Sequence, residues 1–311
     1  MPLAVNNAVM SKSSSKSMEL AVESRLSELE ARLNHLETFY GAANHHAQLK
    51  ISRLNKIVLE LVKRLDVDSA INAPADRVLW ELLRQVLEDS AEGVSQEYME
   101  EYWEVLAKVN HRYTIIANFF GDEALFYSSA KKFIEQLNDK YKLFNSNASV
   151  LDVGCGAGRI AYALVDKVRS YVGVDISQTM VDIARRKVAD PKFQFFKTDG
   201  RCFPMVLSES IDFAYSFIAL QHMPREVMFA NLREIVRALK KNGRLAFQLP
   251  IGDKYDGVRA NEVSLWSVAT YSRPEISKFL EDEGFRIDDA YHEGNDWNPT
   301  QDEYYICTKI R

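Results

Sequence analysis

The sequence predicts an α/β protein built on a doubly wound, mixed sheet of seven strands, most of them parallel. From residue 148 onward, short apolar runs typical of buried strands alternate with helical patterns, which indicates right-handed crossovers between parallel strands. The last two runs, 285–291 and 303–310, are joined by a short loop without a helix, so one of them must be antiparallel. The chain has 311 residues and is 47% hydrophobic, which is enough for one sizeable core and an appendage.

The N-terminal part predicts helices outside this sheet. Residues 1–17 are rich in Ser and Lys and lack the apolar core of a signal peptide, so they predict a disordered leader. In residues 18–66, apolar side chains recur at alternating steps of three and four, a heptad pattern that favours a coiled coil and a homo-oligomer. The pattern predicts one long helix or two helices broken near Gly41. The alternative is one amphipathic helix folded onto the core. Residues 67–147 predict a linker and helices that cover the ligand site, and 148–311 form the sheet domain.

The elements of the sheet domain follow one another in a regular order. The predicted strands are 149–153, 171–175, 193–197, 211–217, 244–249, 285–291 and 303–310. The predicted helices are 158–167, 177–188, 224–240 and 273–283. Pro224 and Pro274 stand in the first turn of the last two helices, where proline is favoured. Segment 250–271 predicts an irregular insert. In such sheets, ligands bind beyond the carboxyl ends of the strands.

The first strand ends in a glycine turn, in the stretch VLDVGCGAGRIAYAL. Asp152, Gly154, Gly156 and Gly158 give the pattern D-x-G-x-G-x-G. A dinucleotide fingerprint would be G-x-G-x-x-G with a small residue at its third fixed position, but Arg159 stands there and the glycines are one residue out of step. An acid two residues before the first glycine would repel a pyrophosphate. It suits a ligand that carries an ammonium group near the turn.

Two further acids follow the next two strands. Asp175, in YVGVDIS, comes 21 residues after Gly154 and stands where an acid accepts hydrogen bonds from a ribose diol. Asp199, in FFKTDGRCFP, is placed to accept a hydrogen bond from the exocyclic amine of adenine. Three acids around a glycine turn describe a ligand with an ammonium, a ribose and a purine but no phosphate. The alternatives are a glycine turn without a ligand, and acids that only cap the following helix or turn.

The motifs VLDVGCGAGR, VGVDIS, KTDGRCFP and IDFAYSFIALQHMP resemble, in order and spacing, those of the class I S-adenosylmethionine-dependent methyltransferases over about residues 148–310. The resemblance implies a Rossmann-like fold, S-adenosylmethionine as the cofactor and S-adenosylhomocysteine as the product. It implies that Asp152 and the turn lie along the methionine part, that Asp175 binds the ribose, and that Asp199 binds the adenine. The other cofactor contacts that it implies are Cys155 in the turn, Ile176 on the adenine, Gly200 and Arg201 beside Asp199, and Phe217 beside the sulfonium.

The same resemblance implies methyl transfer, and we expect the acceptor to be a hydroxyl of a small molecule or a glycan. The fourth motif reads S-F-I-A at 216–219 rather than the N-P-P-Y type that is associated with amide and base-amine acceptors. His222 follows the fourth strand, so it is the candidate general base; the alternative is a histidine that only holds the helix start. Further candidate acceptor contacts are Gln221, Tyr113 and Arg225. No cluster of acids suggests a metal.

Composition limits the remaining function classes. The net charge of −5 argues against general binding to nucleic acid. The three cysteines are far apart and show neither zinc spacing nor a disulfide framework, which indicates a reducing compartment. No apolar run approaches the roughly 18 residues of a membrane span. We therefore expect a cytoplasmic protein. Two other hypotheses are a protein or RNA methyltransferase that uses its N-terminal helices for recognition, and a non-catalytic coiled-coil scaffold with a cofactor-binding domain.

Overall fold

The computed structural model describes residues 96–115, 122–251, 271–292 and 301–311. The chain divides into two units, Met1–Leu87 and Glu88–Arg311, and all the described residues belong to the second. The predicted leader, coiled coil and N-terminal part of the linker lie outside the described residues. So does nearly all of the predicted insert.

The described residues form six α-helices and seven strands. The helices are α1 (Gln96–Ile115), α2 (Glu123–Tyr141), α3 (Arg159–Leu164), α4 (Gln178–Lys187), α5 (Arg225–Ala238) and α6 (Arg273–Asp282). The strands are β1 (Ser149–Val153), β2 (Ser170–Asp175), β3 (Phe193–Lys197), β4 (Ile211–Ser216), β5 (Leu239–Ile251), β6 (Phe285–His292) and β7 (Gln301–Lys309). In this part of the chain, no helix is both long and apolar enough to span a membrane.

The sheet has the strand order β3-β2-β1-β4-β5-β7-β6. Strands β1 to β5 are parallel to one another, and β7 is antiparallel to both β5 and β6. The predicted α/β fold with a mixed seven-stranded sheet is therefore confirmed, and β7 is the antiparallel strand. The strand order reverses between β1 and β4, so a crevice opens at the carboxyl ends of these strands.

Each face of the sheet packs against its own set of helices. Side chains alternate along a strand, so Val150 of β1 belongs to one core and Leu151 to the other. Helices α2, α3 and α4 cover the first face, and α5 and α6 cover the second. Each fully buried aliphatic or phenyl side chain in these layers stabilises the fold by about 1.5–3 kcal/mol.

Polar side chains fix the starts of three helices. Asp122 accepts a hydrogen bond from the Leu125 amide at the start of α2, and Ser177 accepts one from the Met180 amide at the start of α4. Ser272 caps α6 in the same way, just before the predicted proline of the first turn. Such caps contribute about 1 kcal/mol each, which explains why the starts of α4 and α6 are close to those predicted from the sequence.

The largest difference from the predicted elements is at the start of β5. The helix predicted to reach residue 240 ends at Ala238, and Leu239 is already opposite Ile211 of β4. The strand then contains an irregularity, since Asn242 has a φ of 64° and the pairing with β4 shifts register. Leu239 is buried, so its side chain continues the apolar spacing of the helix and conceals the boundary.

Helix α1 is fastened to the start of α4 by one carboxylate. Glu104 accepts hydrogen bonds from the Ser177 hydroxyl (2.7 Å), the Thr179 amide (3.0 Å) and the Thr179 hydroxyl (2.7 Å). Burial alone would raise the pKa of Glu104, but these hydrogen bonds outweigh it and lower the pKa to about 2. The attachment holds α1 beside the carboxyl ends of the strands.

Candidate functional site

A cavity of about 540 Å³ lies at the carboxyl ends of the central strands. Its walls come from β1, β2, β5, β7, the helices α1 to α5 and the segment that follows β4. Ten of the residues predicted for the site line it. They are Asp152, Gly154, Cys155, Gly156, Asp175, Ile176, Gly200, Phe217, Gln221 and His222. Gly158, Asp199, Arg201 and Arg225 do not line it, and the side chain of Tyr113 lies outside the described residues.

The glycine turn connects β1 to α3 and forms the floor of the cavity. Gly154 and Gly156 have φ of 80° and 53°, in the left-handed region that glycine adopts at least cost. The amides of Gly154 and Cys155 donate to the Val174 carbonyl at 2.9 and 3.0 Å, which ties the turn to β2. A Cβ on Gly158 would lie 3.1 Å from the Cβ of Ala184, so this third glycine serves the close packing of α3 on α4.

Asp152 is a buried acid with one oxygen left for a ligand. The hydroxyls of Tyr171 and Tyr215, from β2 and β4, both donate to Oδ2, the second at 2.8 Å. Oδ1 accepts no hydrogen bond from the described residues, and the side chain lines the cavity. Burial raises the pKa of Asp152 to about 7, although the two tyrosine hydroxyls act in the opposite direction.

Asp175 holds the glycine turn and faces the cavity at the end of β2. Its Oδ2 accepts the Gly156 amide at 2.8 Å, and its Oδ1 accepts the Ser177 amide at 2.9 Å. Burial raises the pKa of Asp175, and these backbone donors oppose the rise. A carboxylate has about four lone-pair positions, so each oxygen retains capacity for one hydroxyl of a diol.

Asp199 does not point into the cavity. Its exposed carboxylate accepts the amides of Arg201 (2.9 Å) and Cys202 (3.2 Å), and the first of these is the main cause of its lowered pKa. The neighbouring Gly200 lines the cavity instead, with a φ of 75° and a carbonyl that accepts the Asn231 amide at 2.6 Å. The structure thus shows the turn-capping arrangement for Asp199, and its contact with adenine stays a prediction.

His222 and Gln221 lie together on a short 3-10 helix, Leu220–His222, after β4. The His222 ring meets Trp103 of α1 edge to face at 5.2 Å, and its Nε2 is 3.3 Å from the Gln221 amide nitrogen. Both side chains line the cavity. The predicted base therefore lies in the cavity, between α1 and the end of β4.

Arg225 is engaged away from the cavity. Its guanidinium forms an ion pair with Glu275 of α6 and lies 5.3 and 5.4 Å from the ring centres of Phe229 and Tyr271. These contacts join α5 to α6, so the structure gives Arg225 a packing role. Within the described residues, no group of three or more acidic, His or Cys side chains is placed to hold a metal ion.

Comparison with known proteins agrees with this geometry. Residues 150–243 match the family model described as a methyltransferase domain. This segment is similar to a methyltransferase domain. Over 138 residues the chain is 24% identical to the probable S-adenosylmethionine-dependent methyltransferase CRG1 of Saccharomyces cerevisiae, which covers 43% of this chain and 46% of that protein. The chain spans less than half the length of the curated relatives it matches.

Two solved structures share the fold. The [4+2]-cyclase SpnF has a TM-score of 0.54 and 19% identity, over 70% of this chain and 97% of that one. The magnesium protoporphyrin IX methyltransferase of Synechocystis, with bound S-adenosylhomocysteine, has a TM-score of 0.51 and 16% identity, over 69% of this chain and all (100%) of that one. At these identities the likeness concerns the fold, and function has to be argued from the site.

Several cavity residues of this domain were not predicted from the sequence. Arg159 begins α3; its Nη1 donates to the Ser129 hydroxyl at 3.2 Å, and its Nε has no partner among the described residues. Gln248 interrupts the apolar run of β5, which is the signal that a search for polar residues in buried strands would have found. Ile218 follows β4 with a φ of 56°, which is rare for a β-branched residue and marks local backbone strain at the cavity wall.

The raised pKa of Asp152 predicts that affinity for S-adenosylhomocysteine increases about tenfold between pH 6 and pH 8. With a pKa of about 7, roughly a tenth of the Asp152 side chains are ionised at pH 6 and nine tenths at pH 8, and only the carboxylate attracts an ammonium. The pH dependence of folding has the opposite sign. Burial favours the protonated form of Asp152, so the contribution of Asp152 to the free energy of unfolding is lost as the pH rises from about 4 to 7. Calorimetric titration across this pH range measures the binding effect.

The matched control is Asp152→Asn, which keeps the shape and removes the titration. We expect this variant to bind S-adenosylhomocysteine weakly at every pH and without the increase. An equal increase in both proteins would assign the pH dependence to another group.

Proposed function

We propose that this chain transfers a methyl group from S-adenosylmethionine to a hydroxyl group of a small molecule or a glycan. The observation that carries the proposal is the pair Asp152 and Asp175, which face one cavity from neighbouring strand ends around a glycine turn, within a methyltransferase domain. The pair places negative charge where a nucleotide phosphate would otherwise lie. It therefore selects a ligand with a cationic end and a free diol.

The polar groups of the cavity fit the ammonium, the ribose and the carboxylate of S-adenosylmethionine. Asp152 Oδ1 is available to the ammonium, and the Asp175 carboxylate to the ribose hydroxyls. The unpartnered Nε of Arg159 supplies a donor for the methionine carboxylate. Ile176 and Met180 line the cavity beyond Asp175 and offer an apolar surface to the adenine. These assignments give one residue each to the ammonium, the ribose diol and the carboxylate of the cofactor.

The reaction requires the protein to orient the acceptor rather than to activate the methyl group. The sulfonium of the bound cofactor supplies a methyl group that is already activated. The chain aligns the acceptor with it and excludes water, for which Trp103 and Met99 of α1 lie against the cavity. His222 is the group that we assign to accept the proton of an acceptor hydroxyl.

Titration calorimetry with S-adenosylhomocysteine and, separately, NAD tests the cofactor. We expect binding of the first and none of the second; the reverse would overturn the proposal. Turnover is then measured with methyl-labelled S-adenosylmethionine against hydroxyl and amine acceptors. For a hydroxyl acceptor, His222→Gln should keep the affinity for S-adenosylhomocysteine and reduce kcat about 100-fold or more. If His222→Gln kept full activity, His222 would not be the general base.

The other hypotheses are less well supported by the site. A scaffold that had lost its activity would have no use for an acid tied by two tyrosines to the cavity wall, as Asp152 is. A protein or RNA acceptor would depend on helices that lie outside the described residues. Oligomerisation through residues 18–66 and a cytoplasmic location stay predictions.

A further inference from the structure

The cavity continues along the sheet edge beyond the residues proposed for the cofactor. Asp175 and Asp152 lie at the ends of β2 and β1, and Phe217 follows β4. On the far side of Phe217, Gln248 of β5 and Tyr304 of β7 line the same cavity. The distance from β2 to β7 is four strand spacings, or roughly 19 Å. The cavity therefore has an acceptor end, formed by β5, β7 and α2, that the cofactor residues do not occupy.

Aromatic rings form the walls of this acceptor end. Phe217 meets Phe133 of α2 edge to face, with ring centres 5.1 Å apart, and meets Tyr304 at 6.1 Å. Tyr304 in turn stacks on Tyr291 of β6 at 5.2 Å. Rings that are fixed by one another lose little freedom when a flat ligand packs against them.

One neutral amide stands among these rings. Gln248 is opposite Tyr304 in the pairing of β5 with β7, so the two side chains leave the same face of the sheet. Gln248 is only 3% exposed, lines the cavity, and its Oε1 has no hydrogen-bond partner among the described residues. A buried polar atom without a partner is costly, and a ligand that donates a hydrogen bond removes the cost.

We propose that the acceptor is a flat aromatic ring that carries a hydroxyl, held between Phe133, Phe217 and Tyr304. In the complex with S-adenosylhomocysteine the hydroxyl donates to Gln248 Oε1, and for methyl transfer it turns so that its proton passes to His222. The inference rests on the proposed methyl transfer and narrows its acceptor class. A sugar has several hydroxyls, each of which loses its water on entering the site and needs a partner there. A ring with a single hydroxyl is satisfied by the one amide, and its apolar surface matches the aromatic walls.

The test uses the protein saturated with S-adenosylhomocysteine and three probes: 2-naphthol, 2-methoxynaphthalene and methyl glucoside. The naphthalenes have the same ring, but the methoxy compound has no donor. Affinities are measured by saturation-transfer NMR titration. We expect 2-naphthol to bind more tightly than the other two. Gln248→Met nearly keeps the side-chain volume. It should weaken the binding of 2-naphthol about tenfold and leave the affinity for 2-methoxynaphthalene unchanged.

Two further variants separate this role from a general effect on folding. Gln194→Met changes the same residue type at an exposed position of β3 away from the cavity, and all affinities should stay as in the unmodified protein. Phe133→Ala removes one wall of the acceptor end and should weaken the binding of both naphthalenes by the same factor. Unchanged affinity for S-adenosylhomocysteine in each variant shows that the cofactor end is intact.

The failures of the two proposals are distinguishable. If the unmodified protein does not bind S-adenosylhomocysteine, the proposed function is contradicted. If the cofactor product binds but 2-naphthol does not, or methyl glucoside binds more tightly, the aromatic acceptor is overturned while the methyltransferase function remains. Equal weakening of both naphthalenes by Gln248→Met removes the hydrogen bond from the proposal and thereby overturns it.

Discussion

Replacing Asp175 with alanine is expected to weaken the binding of S-adenosylhomocysteine by at least about 100-fold. The carboxylate lines the cavity and, in our proposal, accepts both ribose hydroxyls. Hydrogen bonds to a charged acceptor contribute about 1.5–3 kcal/mol each, so losing two costs about 3–6 kcal/mol of binding free energy. The variant also loses the acceptor for the Gly156 and Ser177 amides, which leaves the glycine turn without its fixed position. Titration calorimetry measures the affinity.

Asp199→Ala is the matched control, because Asp199 is also an acid near the carboxyl end of a parallel strand, β3. Its carboxylate is exposed and accepts the amides of its own loop, so we expect a loss of affinity of threefold or less, by the usual size of a surface substitution (about 0.5 kcal/mol). Equal losses in the two variants would show that Asp199 turns into the cavity when the ligand binds. The sequence-based assignment to adenine would then stand.

The order of the strands and helices was predictable because burial on both faces of the sheet produces regular apolar patterns in the sequence. Strands β1 and β3 have the predicted bounds. Strand β1 is buried along its whole length and is followed by the glycine turn, whereas β3 alternates between buried and exposed side chains before the turn at Asp199. The start of β5 was not predictable. Leu239 is buried both as the end of a helical pattern and as the first residue of a strand, and only its pairing with Ile211 decides between them.

The site divides in a similar way. Asp152, Gly154 and Asp175 were predictable because each stands at a strand end, and all parallel strands of one sheet end at the same edge. Gln248 and Tyr304 were not, since they become neighbours only through the antiparallel register of β5 and β7. Position in the sequence also could not show which way a loop carboxylate turns, which is why Asp199 was assigned to the cavity. The residues of the acceptor end are thus brought together by contacts between strands, whereas those of the cofactor end follow from local sequence patterns.

The glycine turn gives the second large prediction: Gly154→Ala should abolish detectable binding of S-adenosylhomocysteine and destabilise the fold by about 2–5 kcal/mol. A Cβ at this position would lie 2.3 Å from the Cβ of Ala219, which is held by the loop after β4. Overpacking of this kind costs about 1–3 kcal/mol, and a left-handed φ of 80° adds about 1–2 kcal/mol for a residue with a side chain. Denaturant-induced unfolding measures the stability, and calorimetry measures the binding.

Gly156→Ala separates a steric clash from a general intolerance of the turn. Its φ of 53° lies in the left-handed range that other residues also adopt at times, and the atom nearest to a new Cβ is Ile115 Cδ1 at 2.9 Å. That atom is the end of a flexible side chain, so it can move where Ala219 cannot. Gly156→Ala should therefore be less destabilising than Gly154→Ala. If the two variants unfold at the same denaturant concentration, the close approach of Ala219 to the turn does not explain why Gly154 is required. The requirement would then lie in the backbone conformation alone.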